Sequence, residues 1–223
     1  MLRINQYIDH TLLKPTTLIT EIEKLCNEAE QYQFAAVCVP PNFIKTAKVF
    51  TKNTQVKVAT VIGFPFGYSA IEAKLAEVLL AIVDGADELD IVINISAIKN
   101  NDWEYLANEI NHLMPIIKQN NRVVKIIIES GILTYEEIIK CCQLYGVAGI
   151  DYLKTSTGYA EKGATIEAVK LFRQNLPAHV QIKASGGIRD YAFAKLLIDA
   201  GATRLGCSTG MAIVNGDTAE ANY

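Results

Sequence analysis

Short runs rich in β-branched residues alternate with longer amphipathic stretches along almost the whole chain, and few folds accept that pattern. The runs centre on Tyr7 to Asp9, Ala35 to Val39, Val56 to Ile62, Glu88 to Ile93, Val123 to Glu129, Ile150 to Thr155, Val180 to Ala184 and Arg204 to Cys207. Strand starts recur at roughly the ~30-residue spacing of a βα unit. The stretches between them begin and end as helices do. Ser69-Ala-Ile-Glu72 and Thr134-Tyr-Glu-Glu137 have capping-box spacing, Asn101 or Asp102 can cap the helix of Trp103, and Asp190 can cap the one after Ile188. Gly85, Gly146 and Gly201 suit the left-handed residue that closes a helix. Strand and helix in strict alternation require crossover connections and hence a parallel sheet. The near-continuously apolar Val124-Lys-Ile-Ile-Ile128 reads as a strand covered on both faces. About eight such units in 223 residues predict a single-domain α/β fold, a (β/α)8 TIM barrel over residues 1–214 with a polar tail over 215–223. A doubly wound open sheet is the competing topology.

Charge and cysteine usage narrow the function. Lys and Arg number 21 against 24 Asp and Glu, a net charge of −3, so the basic surplus expected of a nucleic-acid binder is missing. No apolar run approaches the ~18 residues of a membrane span, and the first residues do not read as a signal peptide. Five cysteines without framework spacing read as free thiols in a reducing, cytoplasmic setting.

Barrel enzymes react at the C-terminal ends of their strands, so polar residues there carry the information. Lys154 closes Ile150-Asp-Tyr-Leu-Lys154, and Lys183 closes Gln181-Ile-Lys183. A lysine held inside a barrel loses preference for its charged form, and two neighbouring ones each depress the other. A neutral amine at neutral pH is what Schiff-base chemistry requires. The plainer reading has each lysine pointing outward or paired with an acid. Asp90 lies on another strand, where a carboxylate near two lysines would be stabilised and could relay protons, whereas Asp87 and Glu88 read as surface charges. Asp9 could cap a helix, pair with a cation or bind a hydroxyl, and Cys38 reads chiefly as a small core residue at a pocket wall.

The turns after these strands are Thr155-Ser-Thr-Gly-Tyr159, Ala184-Ser-Gly-Gly-Ile-Arg189 and Gly206-Cys-Ser-Thr-Gly210. Glycines and hydroxyls on three consecutive βα loops can present N–H groups to a phosphate, although any one of them alone would merely permit a tight turn. Gly158 to Gly163 has P-loop spacing but lacks the following Lys-Ser/Thr, and no dinucleotide fingerprint is present. His10, His112 and His179 are scattered, so neither a metal nor a cofactor is expected.

Asp9-His-Thr-Leu-Leu-Lys-Pro15, Val37-Cys-Val-Pro40, Gly63-Phe-Pro-Phe-Gly67, Gly85-Ala-Asp-Glu-Leu-Asp90, Lys154-Thr-Ser-Thr-Gly158 and Lys183-Ala-Ser-Gly-Gly-Ile-Arg189 together resemble the deoxyribose-phosphate aldolase family, in order and over nearly the whole chain. The resemblance implies a class I aldolase that reversibly cleaves 2-deoxy-D-ribose 5-phosphate to D-glyceraldehyde 3-phosphate and acetaldehyde without a cofactor. It implies Lys154 as the Schiff-base lysine, Lys183 as the lysine that lowers its pKa, and Asp90 as the carboxylate working with Lys183. It further implies Gly158, Gly186, Gly187, Gly206, Ser208 and Thr209 as the phosphate cradle, with Asp9, Thr11 and Cys38 near the sugar hydroxyls. Members of the family can end in a tyrosine that assists proton exchange, which makes Tyr223 a candidate shuttle against the plainer reading of a tail without function. Where some members carry a lysine after the glycine of Lys-Thr-Ser-Thr-Gly, this chain has Tyr159, so a charge near the phosphate is missing. Another phosphosugar barrel enzyme, transaldolase-like or an isomerase, is the alternative activity; a non-catalytic sugar-phosphate binding barrel is a further one. The expected partner is a phosphosugar, with no nucleic acid and no membrane, and the expected assembly is a homodimer or other homo-oligomer.

Overall fold

A computed structural model describes residues 3–217 of the chain. Eight parallel strands, β1 (Ile8–Thr11), β2 (Ala36–Val39), β3 (Lys57–Ile62), β4 (Glu88–Val92), β5 (Val123–Ile127), β6 (Tyr152–Lys154), β7 (Gln181–Ser185) and β8 (Arg204–Cys207), close into a barrel in sequence order. Closure is explicit, because Asp9 of β1 is in register with both Ala36 of β2 and Gly206 of β8. That excludes the open sheet.

The helices form the outer layer: α1 (Ile19–Gln31), α2 (Ile44–Phe50), α3 (Ile71–Asp84), α4 (Ile95–Lys99), α5 (Trp103–Gln119), α6 (Tyr135–Val147), α7 (Ile166–Asn175), α8 (Tyr191–Asp199) and α9 (Gly210–Asn215). Their starts have chemical causes. At α6 the Glu137 N–H donates to the Thr134 hydroxyl while the Thr134 N–H donates to the Glu137 carboxylate, the reciprocal capping box. Asp102 accepts from the Tyr105 N–H at α5, and Asp190 from the Phe193 N–H at α8.

Two expected punctuation marks moved. Helix α3 is preceded by Ala70, whose side chain offers no cap, so Ser69 does not begin it. Gly146 lies inside α6 rather than after it; a Cβ there would come within 2.8 Å of Pro177 Cδ, so the glycine serves close packing. The residue that leaves α6 left-handed is Gly149, at φ +78°.

Between strands and helices lies the main hydrophobic core, built from residues such as Ile8, Val37, Leu89, Ile126, Leu153, Ile182 and Leu205 on the outward face of each strand. Because strand side chains alternate, the next residue along points into the barrel. Beside β2 and β3 that interior is small and apolar, with Ala36, Cys38, Ala59 and Val61. Elsewhere it is ionic, where barrels are ordinarily filled by branched aliphatic side chains. Among the described residues no helix is long and apolar enough to cross a membrane. Asn215 ends α9, and residues 218–223 of the expected tail lie outside the described residues.

Candidate active site

Alternation along five strands and the closing β1 assembles the ionic interior. Glu88 and Asp90 come from β4, Lys125 from β5, Lys154 from β6, Lys183 from β7, Arg204 from β8 and Asp9 from β1. Register puts Asp90 beside Lys125 and Lys154 beside Lys183. The side chains of Asp9, Asp90, Lys125 and Lys183 have no exposed surface, and Lys154 is buried near the C-terminal mouth.

Asp90 is the hub. Its Oδ2 accepts from Lys154 Nζ at 2.7 Å and from Lys183 Nζ at 2.8 Å, while its Oδ1 accepts from Lys125 Nζ at 2.6 Å. Lys183 also donates to Asp9 Oδ2, and Arg204 donates to Asp9 Oδ1 at 2.6 Å. At the N-terminal ends of the strands Glu88 closes the network, accepting from Lys125 at 2.6 Å and from Arg204 at 3.2 Å. Gly206 has a steric task here: a Cβ would lie 3.1 Å from Lys183 Cε and 3.0 Å from Ser185 Cβ, so a side chain would crowd the lysine.

The environment separates the bases. Burial pushes the Lys154 amine below its ordinary value, and the charge of Lys183 pushes in the same direction, against the pull of Asp90. Burial would lower Lys183 as well, but Asp9 and Asp90 together raise it. Lys125 is raised by Asp90 and Glu88 in the same way. Burial alone would raise the Asp90 carboxyl; Lys125, Lys154 and Lys183 hold it well below the usual carboxylate range. The site therefore contains one amine inclined to be neutral, among partners that keep their charges.

The other sequence candidates fall into two groups. Cys38 lines the barrel with its thiol pushed up to about 11 by burial, so it is an uncharged wall and not a thiolate. Asp9, expected near sugar hydroxyls, has both oxygens engaged by Lys183 and Arg204 and acts as their counter-ion. Thr11 donates its hydroxyl proton to the Asp9 carbonyl at 2.8 Å. Gly158 (φ +92°) and Gly187 (φ +77°) are left-handed with open space where a Cβ would be, as close approach to a ligand requires. Gly186 instead backs against Gly163. Ser208 is exposed at the rim, and Thr209 donates its hydroxyl proton to the Ile188 carbonyl at 3.1 Å while its backbone N–H is engaged by the Cys207 sulfur. Tyr159 donates its hydroxyl to the Leu13 carbonyl at 2.8 Å and meets the Phe64 ring edge-on. With Leu13, Pro40, Val61 and Phe64 it lines a cavity of about 370 Å³ at the mouth. Tyr223 lies outside the described residues.

Sequence reasoning missed Lys125 and Arg204 and placed Glu88 on the surface; all three belong to the interior. The signal was available. Lys125 interrupts a strand that is apolar on both sides of it, and Glu88 lies two residues before Asp90 and therefore on the same face. Glu129, at the end of β5, was also unremarked. It is left-handed at φ +53°, and its Oε2 accepts the Thr157 N–H at 3.1 Å and the Thr157 hydroxyl. Burial raises its carboxyl.

Comparison with known proteins bears on this geometry. Residues 3–216 match the family described as DeoC/LacD family aldolase. The chain is similar to the deoxyribose-phosphate aldolase of a Thermoanaerobacter species, 49% identical over 214 residues that cover 96% of each chain. It is 46% identical to that of Streptococcus gordonii over 222 residues, which cover 100% of both. Among solved structures it resembles the deoxyribose phosphate aldolase of Aeropyrum pernix, described as having a unique tetrameric structure. The TM-score is 0.89 and the identity 30%, covering 95% of this chain and 89% of that one.

Proposed function

The chain belongs to the DeoC/LacD family of aldolases, and from that premise we propose that Lys154 is the amine that forms its covalent intermediate. The activity is class I aldol chemistry, the reversible cleavage of 2-deoxy-D-ribose 5-phosphate to D-glyceraldehyde 3-phosphate and acetaldehyde. One observation carries the assignment to Lys154: of the bases inside the barrel, only this one is pushed toward its neutral form, and it sits nearest the mouth.

Neutral Lys154 Nζ attacks C1 of the open-chain sugar, and loss of water gives an iminium. The C2–C3 bond then breaks as a proton leaves the C3 hydroxyl. Its electron pair passes into the iminium to give an enamine, and glyceraldehyde 3-phosphate departs. Protonation of the enamine carbon and hydrolysis release acetaldehyde and restore the amine. Asp90 holds Lys154 and Lys183 on one oxygen, so the proton that Lys154 must shed has a short path to the Asp90–Lys183 pair. Lys183, anchored between Asp9 and Asp90, supplies the repulsive charge.

The phosphate is assigned to the loops after β6, β7 and β8. Gly158 and Gly187 offer open backbone faces, and Ser208 adds donors at the rim; Thr209, held by the Ile188 carbonyl and Cys207, fixes that loop, and Gly186 and Gly206 support the cradle by close packing. Thr157 is not among the donors, since Glu129 takes both its N–H and its hydroxyl proton. Tyr223 is retained as a proposed proton shuttle, and cytoplasmic location and self-association as parts of the same reading. The tetramer described for the Aeropyrum pernix relative supports the last of these. The test is direct. Lys154→Met should abolish cleavage of 2-deoxyribose 5-phosphate while the protein keeps its thermal transition, and a folded Lys154→Met protein that still cleaves the sugar would overturn the assignment.

A further inference from the structure

The ionic interior does not balance. Among the described residues one connected cluster holds four bases, Lys125, Lys154, Lys183 and Arg204, against three carboxylates, Asp9, Glu88 and Asp90. An uncompensated charge is costly to keep in a closed interior, and a buried group answers by giving up its proton. Contacts decide which base does so. Lys125 touches Glu88 and Asp90 and comes within 3.9 Å of Asp9, Lys183 touches Asp9 and Asp90, and Arg204 touches Asp9 and Glu88, whereas Lys154 touches Asp90 alone. Arginine keeps its proton in any case. The base with the fewest carboxylate partners is the one at the mouth.

We propose that Arg204 and Glu88, remote from the mouth at the N-terminal ends of the strands, are positioning residues that determine whether the Lys154 amine carries a proton, by setting the charge balance of the whole interior. The inference rests on Lys154 as the imine-forming residue. Arg204 is the fourth positive charge: by engaging Asp9 and Glu88 it leaves Asp90 as the sole carboxylate for Lys154. Its effect runs through alternating contacts, Arg204 to Asp9 to Lys183 to Asp90 to Lys154. The groups facing Lys154 are Asp90 from β4, Lys183 from β7, the un-ionised Cys38 thiol from β2 and Glu129 at the end of β5. The variants below change none of these.

Removing either remote charge has opposite consequences. Arg204→Met leaves three bases against three carboxylates, so Lys154 keeps its proton to higher pH. Glu88→Gln leaves four against two, and Lys154 loses its proton at lower pH. For a unit charge roughly 10 Å away at an effective dielectric constant near 20, each shift is about one pH unit. The assay is the rate of N-ethylation of Lys154 by acetaldehyde and cyanoborohydride, followed across pH by peptide mass spectrometry. Amine and aldehyde lose water to form the iminium, and hydride reduces it to the secondary amine.

The profile is expected to move up by about one unit in Arg204→Met and down by a similar amount in Glu88→Gln. It should return close to that of the unaltered chain in the double variant, where three bases face two carboxylates and the excess of one base is restored, and in Arg204→Lys, which keeps the charge. A purely structural role would lower rates without moving the profile in opposite directions. Shifts of the same sign, or no shift while Lys154 is still labelled, would overturn the inference. If Arg204→Met does not fold, the Glu88→Gln arm decides alone, since an upward or absent shift contradicts the balance. Failure to label Lys154 in the unaltered chain would instead refute the assignment of the nucleophile.

Discussion

Replacing Lys183 by Met removes one positive charge and keeps most of the side-chain volume. Lys154 and Lys183 share Oδ2 of Asp90 at 2.7 and 2.8 Å, which puts their nitrogens roughly 4–5 Å apart. At an effective dielectric constant near 20, two unit charges at that separation repel by about 3–4 kcal/mol, equivalent to about 2–3 pH units. Loss of Lys183 also frees Asp90 Oδ2 for Lys154 alone, which adds to the same effect. The sign follows: less repulsion and more attraction hold the proton on Lys154 to higher pH, so the pH midpoint for imine formation rises. At neutral pH the reactive fraction falls, by at most the roughly 100- to 1000-fold that such a shift allows. The assay is reductive trapping of acetaldehyde on Lys154 between mildly acidic and strongly alkaline pH, with folding verified by denaturant titration, because breaking a buried pair can cost about 3–5 kcal/mol. Asp9 keeps Arg204 and Asp90 keeps Lys125 in the variant, so no carboxylate is stranded. A folded Lys183→Met protein whose trapping profile coincides with that of the unaltered chain would refute the electrostatic reasoning.

Asp90→Asn removes the only carboxylate that Lys154 touches, so trapping should continue, at lower pH, while cleavage falls by about 100-fold or more through lost proton handling; equal losses in both assays would contradict that division. Gly187→Val puts a branched side chain at φ +77° and into the open face of the proposed cradle, and should raise KM for 2-deoxyribose 5-phosphate much more than for deoxyribose, whereas proportional losses would point to misfolding. Tyr159→Lys adds a cation beside that loop, and the ratio of kcat/KM between the phosphorylated and plain sugars should rise several-fold. An unchanged ratio would mean that the side chain stays turned toward Leu13 and Phe64 as the tyrosine does.

The strand pattern was legible because each outer face is continuously apolar, and strands β2 to β8 stand close to the runs that predicted them. Lys154 and Lys183 were legible because each stands shortly before a glycine turn; Lys154 does end β6, whereas Lys183, expected to close its strand, is the middle residue of β7, which runs on to Ser185. Lys125, mid-strand as Lys183 is, was not, since it sits among isoleucines and valines and reading the segment as apolar averaged away its single charge. Glu88 was misplaced because adjacency to Asp87 outweighed its two-residue offset from Asp90. Only the second of these relations puts side chains on one face. Arg204 becomes visible only when β8 closes against β1 and brings it to Asp9, a contact across 195 positions that no local pattern encodes. The failed cap at Ser69 and the internal Gly146 have a similar origin: spacing suggests a role, and packing assigns it.

The central claim is that the neutral amine of this barrel is Lys154. It is tested most directly by incubating the folded protein with 2-deoxyribose 5-phosphate and cyanoborohydride and mapping the modified residue by peptide mass spectrometry. The account predicts one stoichiometric adduct on Lys154, formed with concomitant loss of cleavage activity; an adduct on Lys125 or Lys183, or inactivation with no modified lysine, would contradict it.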